Sequence, residues 1–156
     1  MSKAAYEGNV KIYYLPACAD PDAPTVAEIA AGTNWSPYIT KDGVEPPANP
    51  NMVDSATIED VFDSQEPGSW GGAPLKLILF RDNADETLAY DMITYGLRGF
   101  VLVTRFGDPS VGAVCEVYPI ASHEPTLMKS AGNEMQKFQA TMAVTSEPSM
   151  RAAVAA

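Results

Sequence analysis

The sequence predicts a mainly β protein of the α+β class. Three observations point there. Residues 97–120 hold two extended runs, Phe100 to Val103 and Ala113 to Tyr118, separated by the turn Gly107, Asp108, Pro109, Ser110. β-Branched and aromatic residues bounded by Gly and Pro mark paired strands. Further runs at 10–15, 75–80 and 135–145 alternate with the two-residue period of a strand. Helical spacing is confined to two short segments. The first run of the hairpin is apolar on both faces, Phe100 and Leu102 on one, Val101 and Val103 on the other. Such a strand must be covered twice, once by the chain's own core and once by a second sheet, a helix or another subunit.

In chain order, residues 1–8 carry no pattern. Over 10–15, Val10, Ile12 and Tyr14 share a face. Residues 16–24, with Pro16, Pro21 and Pro24, form a loop. Thr25 and Glu28 fit a capping box, Val26, Ile29 and Ala30 supply an apolar stripe, and Gly32 is placed to close this helix as a left-handed cap. Residues 35–40 suit a strand. Residues 41–72 stand apart, with four prolines, the cluster Gly68, Gly71, Gly72, and seven acids against one lysine. Part of it, 51–62, suits an irregular strand. The rest is expected to be a long loop, either a solvated surface loop or an arm that orders against a neighbour.

Leu75, Leu77 and Leu79 share one face of the next strand. A helix is expected over 83–96, with Asn83 and Glu86 as a capping box, Leu88, Ala89, Met92 and Ile93 as its packed side, and Gly96 at its end. Residues 121–132 read as a connection. In the last strand Phe138, Ala140, Met142 and Val144 alternate with Lys137, Gln139, Thr141 and Thr145. Pro148 stops the ladder, and 148–156 reads as a short C-terminal tail. Residues 1–156 are expected to form a single domain.

Composition narrows the function. Twenty acids against ten bases give a formal charge of −10, which repels phosphate and disfavours nucleic-acid binding. No apolar run approaches the roughly 20 residues that cross a bilayer, and no apolar signal segment follows Met1. The lone His123 cannot build a paired-histidine site. Asp54, Asp60 and Asp63 lack the turn glycine and closing Glu of a calcium loop. The glycine cluster lacks the following Lys-Ser/Thr of a phosphate loop, and no serine sits in a Gly-x-Ser-x-Gly elbow. Cys115, between Val114 and Glu116, reads as a buried hydrophobe, and a disulfide to Cys18 has no support in the pattern. No cofactor, metal or catalytic set is indicated, so an enzyme is not expected.

Four stretches taken in order resemble the major tail tube proteins of long-tailed phages of actinobacteria. They are Ala23 to Gly32, Arg98 to Arg105, Cys115 to Ile120, and the last strand around Asn133 to Thr145. With the acidic loop they span nearly the whole chain. The resemblance implies two packed antiparallel sheets, a β-sandwich or near-barrel, with one flanking helix. It implies hexameric rings stacked into a tube around a tape measure protein, with tail terminator and distal tail proteins as further partners. DNA passes through without specific binding, no membrane is involved, and assembly takes place in the host cytoplasm. A tail joint or terminator ring of the same fold is the alternative, and a small acidic enzyme a further one.

Six copies at −10 each would carry −60, so large apolar interfaces are expected, on the order of 2,000 Å² per permanent contact. Subunit or ring contacts are expected at Asp54, Ile58, Val61, Phe62 and Trp70 in the long loop, and at Val101 and Val103 on the two-faced strand. Lys137, Gln139 and Thr141 are lumen candidates, a solvent-facing outer sheet accounting for them equally well.

Overall fold

Alternating and β-branched runs put most of the chain into strands. The computed structural model describes residues 5–81 and 88–156. Its elements are β1 (Lys11–Leu15), α1 (Val26–Ala31), β2 (Thr33–Asn34), β3 (Ile39–Glu45), β4 (Pro50–Asp54), β5 (Gln65–Trp70), β6 (Leu75–Phe80), α2 (Leu88–Met92), β7 (Arg98–Thr104), β8 (Val114–Ser122), β9 (Thr126–Leu127), β10 (Lys137–Val144) and β11 (Ser149–Ala153). Nine strands make one antiparallel sheet along the path β2-β1-β7-β8-β10-β6-β3, with β11 beside β8 and β9 beside β10. Among the described residues the strands β4 and β5 pair only with each other.

The large sheet must curl. Laid flat, its seven-strand path would set β2 and β3 roughly 29 Å apart, at about 4.8 Å per strand. Only Trp35, Ser36, Pro37 and Tyr38 join those two strands, a reach of at most roughly 18 Å. This short link also ties both ends of the path together. The Trp35 N–H donates to the Ile12 carbonyl of β1, and the Phe80 N–H of β6 donates to the Tyr38 carbonyl. The Trp35 ring, fully buried, stacks on Tyr14 at 5.2 Å. The fold is therefore mainly β and antiparallel, as expected, with the sandwich made by one sheet rolled on itself.

Inward residues of β1, β6, β7, β8 and β10 form the main core, closed by Ala89 and Ile93 of the α2 region. A second core lies on the other side of β1, β7 and β8, where Leu15, Leu102 and Val117 meet Ile29 of α1 and Ala152 and Val154 of the C-terminal segment. At one end of the roll the Tyr118 hydroxyl donates to Glu116 Oε2 at 2.6 Å, and Arg105 forks onto both Glu116 oxygens at 2.6 and 3.1 Å. Burial and this carboxylate push the Tyr118 hydroxyl well above the ordinary tyrosine range.

Several local expectations need correction. Residues 148–156 are not a tail: β11 pairs with the Val114–Val117 stretch of β8 that β10 leaves free, and Ala152 and Val154 are 0% and 3% exposed. β10 ends at Val144, and after Pro148 the chain re-enters the sheet, where Ala152 and Val154 cover the Leu102 and Val117 side of β7 and β8. Truncation after Pro148 is accordingly expected to cost about 3 kcal/mol or more, read from urea unfolding; an unchanged midpoint would restore the tail reading. Residues 35–40 are largely the link rather than a strand, and β3 begins at Ile39.

The capping box of α1 forms as expected, Glu28 N–H to Thr25 Oγ1 and Thr25 N–H to Glu28 Oε2. Of its expected stripe only Ile29 is buried. Gly32 ends the helix in an extended conformation, φ −83°, not a left-handed one. Its lack of a side chain serves close approach, since a Cβ there would collide with the Tyr14 carbonyl oxygen. Among the described residues both helices expected from the spacing are present. Among the described residues the second spans Leu88–Met92 and stops short of the expected end at Gly96, while the expected cap at Asn83 and Glu86 lies outside the described residues.

Candidate assembly surface

Residues 41–72 are more ordered than their prolines suggest. Glu45 still pairs with Lys76, and the hairpin β4–β5 follows, with Pro50 opposite Trp70 and Asp54 opposite Gln65. Pro67 fits because a two-stranded ribbon has free edges on both sides. Beyond the last pair, the Ser55 N–H donates to the Ser64 carbonyl, and Asp60 Oδ2 accepts from the Thr57 N–H and hydroxyl at 2.6 and 2.9 Å. These bonds hold the Asp60 carboxyl below the usual carboxylate range. The hairpin rejoins β6 through Gly71 and Gly72, both at positive φ, 134° and 85°.

This ordered tip points its apolar side chains at solvent. Ile58, Val61 and Phe62 are 103%, 105% and 80% exposed. Met52, Val53 and Trp70 are also exposed along the ribbon. Asp54 caps the turn by accepting from the Ala56 N–H at 3.0 Å. A cleft of about 370 Å³ at the root is lined by Pro47, Trp70, Val144 and Pro148 among others. Contiguous exposed apolar side chains on a folded element mark an interaction surface.

The structure brings five of the seven expected contact residues together here: Asp54, Ile58, Val61, Phe62 and Trp70. It does not do so for Val101 and Val103. They are 0% and 1% exposed, inside the main core, and Leu102 on the other face is covered by the second core. Both covers of the two-faced strand come from the chain itself, so no subunit is needed over it. Lys137, Gln139 and Thr141 are half-exposed on the outer face of β10, opposite Phe80, Ile78 and Lys76 of β6. Neither apolar cluster covers this face. Sequence reasoning missed the end of this strand, where Met128 and Met135 are exposed near Lys129 and Lys137. The methionines flanking two lysines were a signal, hidden because 121–132 lacks any long alternating run.

Little else offers chemistry. Among the described residues no group of three His, Cys, Asp or Glu side chains is placed to hold a metal, and no helix is long and apolar enough to cross a membrane. Cys18 and Cys115 are free thiols within the second core. Burial first, then Glu28 for Cys18 and the Cys18 thiol for Cys115, pushes each up from 9.0 to about 11. The thiolate is the reactive form, so neither is set up as a nucleophile. Between about pH 9 and 11 the unfolded chain releases these protons while the folded chain keeps them. Stability is therefore expected to fall as pH rises through that window, and to fall less steeply in Cys115→Ala, measured by urea unfolding at each pH.

The main features of this surface are a rolled antiparallel sheet and a hairpin, β4–β5, with an exposed apolar tip. A sequence profile of phage tail tube proteins matches residues 1–156. The chain belongs to the phage tail tube protein family. It is thus a structural protein of the virion tail. Among curated proteins, no sequence matches it. Among solved structures it is similar to a chain of the anti-feeding prophage baseplate, solved by cryo-electron microscopy with 6-fold symmetrisation. The TM-score is 0.58 at 12% identity, covering 97% of this tail tube chain and 98% of that chain. At that identity the likeness is one of fold.

Proposed function

We propose that this tail tube protein assembles with itself into hexameric rings that stack into the conduit for DNA delivery. The observation that carries the reading is the β4–β5 hairpin, an ordered ribbon whose apolar tip is exposed in the isolated chain. Desolvating Ile58, Val61 and Phe62 against another copy recovers apolar burial that the monomer forgoes. Six-fold order is supported by the symmetrised baseplate to which the fold is similar. Gln139 and Thr141, neutral and half-exposed on the uncovered face, are the residues we place on the lumen. An acidic chain, −10 per copy, lets DNA slide past without gripping its phosphates. The tape measure protein fills the tube before DNA, and terminator and distal tail proteins close its ends. Assembly precedes lysis, in the cytoplasm of an actinobacterial host, a host supported by the sequence resemblance alone. The protein needs no catalytic group for this work.

A second reading, a ring at the end of a tube, draws on the likeness to a baseplate chain. Electron micrographs of the purified protein over a concentration series separate the two. Tubes of uniform width are expected. Rings that never stack would favour the terminal role, and a monomer at every concentration would overturn both.

A further inference from the structure

The fold brings the chain's two cysteines to one patch of the sheet. Cys18 stands 97 residues before Cys115, yet both lie in the second core with Leu102, Val117 and Ala152. The path between them crosses a single strand. Cys115 of β8 pairs with Ala152 of β11. The next residue, Ala153, donates its N–H to the Asp22 carbonyl, so the 16–24 loop lies against β11. That loop turns back on itself. The Ala23 N–H and the Cys18 thiol both donate to the Asp20 carbonyl, the thiol at 3.4 Å. The Cys18 thiol also raises the Cys115 pKa more than Glu116 does, although Glu116 is the next residue in the chain. The two sulfurs therefore act on each other through space.

Their access differs. Cys18, 9% exposed, borders an open groove of about 550 Å³ with Pro16, Pro21, Phe100 and Pro119. Cys115 is 2% exposed and fixed in the β8 ladder. Ala19, beside Cys18, donates its N–H to Glu28 Oε1 at 2.9 Å, which fastens the loop to α1. The loop carries no strand, so Cys18 is the partner that can shift to the roughly 4–7 Å between Cα atoms that a disulfide needs.

We propose that Cys18 and Cys115 are an oxidisable pair that closes to a disulfide, stapling the 16–24 loop to β8. A small disulfide such as oxidised glutathione balances the step. The Cys18 sulfur, losing its proton, bonds to one glutathione sulfur and expels the other glutathione, which takes up a proton. The Cys115 sulfur then bonds to Cys18 in the same way and expels the second. Two protein thiols are oxidised, and one oxidised glutathione becomes two thiols. Burial keeps both cysteines protonated, so closure is slow, and a reducing cytoplasm holds the pair open. The staple thus forms after lysis, on finished tails. That timing rests on the assembly site proposed above; the thiol chemistry does not.

Incubating the folded full chain with oxidised glutathione tests the pairing. Thiols titrated after denaturation are expected to fall from two to none, with a mass lower by two hydrogens and no dimer on non-reducing gels. The urea midpoint should rise by about 1 M or more and return with dithiothreitol. Single variants read the order of attack, with circular dichroism confirming that both fold. Cys115→Ala should stop at one glutathione adduct on Cys18, while Cys18→Ala should keep its thiol. A parent that retains both thiols, stops at an adduct, links chain to chain or shows an unmoved midpoint would overturn the staple. An adduct on Cys18→Ala would overturn entry through Cys18. No tubes are needed, so failure here leaves the tube reading standing, and a failed tube assay leaves the staple standing.

Discussion

Excising Pro50–Trp70 and joining Asn49 to Gly71 is expected to leave a folded barrel that makes no tubes. The cut is clean because the Gly71 N–H already donates to the Asn49 carbonyl at 3.3 Å, so the new ends are neighbours. The removed ribbon pairs only with itself and contributes no residue to either core. Closing a shorter loop changes stability only slowly, so a shift within about 1 kcal/mol is expected. What disappears is the exposed apolar tip, and with it the surface for other copies. Calorimetry and micrographs of the same preparation read both quantities. A melting temperature lowered by more than about 10 °C would make the hairpin part of the core, and tubes from the excised chain would remove it from assembly.

Val101→Asp is expected to abolish folding before assembly becomes a question. Val101 has no exposure and sits among Ile12, Tyr118 and the leucines of β6 in the main core. A carboxylate there is either ionised without a partner or protonated at the cost of a raised pKa. More than about 4 kcal/mol of destabilisation follows, a large part of the 5–15 kcal/mol that holds a domain together. Leu102→Asp should do the same from the opposite face, where α1 and the C-terminal segment cover it. The two variants separate core from interface. A residue at a subunit contact would give a folded chain that does not assemble, whereas these should give no cooperative unfolding transition. A well-folded Val101→Asp monomer would reinstate the strand as a contact surface.

What was legible in the sequence was what depends on neighbours along the chain. Leu75, Leu77 and Leu79 face inward as their alternation requires, and so do Phe138, Ala140 and Met142. Thr25 and Glu28 cap their helix because both partners lie three residues apart. The acidic, proline-rich stretch was recognisable as a segment apart from the main sheet. The irregular strand expected over 51–62 is met only in part, by β4 at Pro50–Asp54, and its partner β5 was not legible, because Pro67 reads as a breaker and only a ribbon open on both edges accommodates it. β9, two residues long, carries no period to detect.

By itself the sequence determined the strand faces, the cap, the acidity and, through resemblance along its whole length, the family. Only the tertiary structure decided what covers each face. Phe100 to Val103 announce two apolar faces, but nothing local says whether a subunit or the chain's own end provides the second cover. Ala152 and Val154 lie some 50 residues further on and look like a tail until they meet Leu102 and Val117. Burial is a property of contacts between segments distant in sequence, so it removed Val101 and Val103 from the surface. The same contacts left Ile58, Val61 and Phe62 on it.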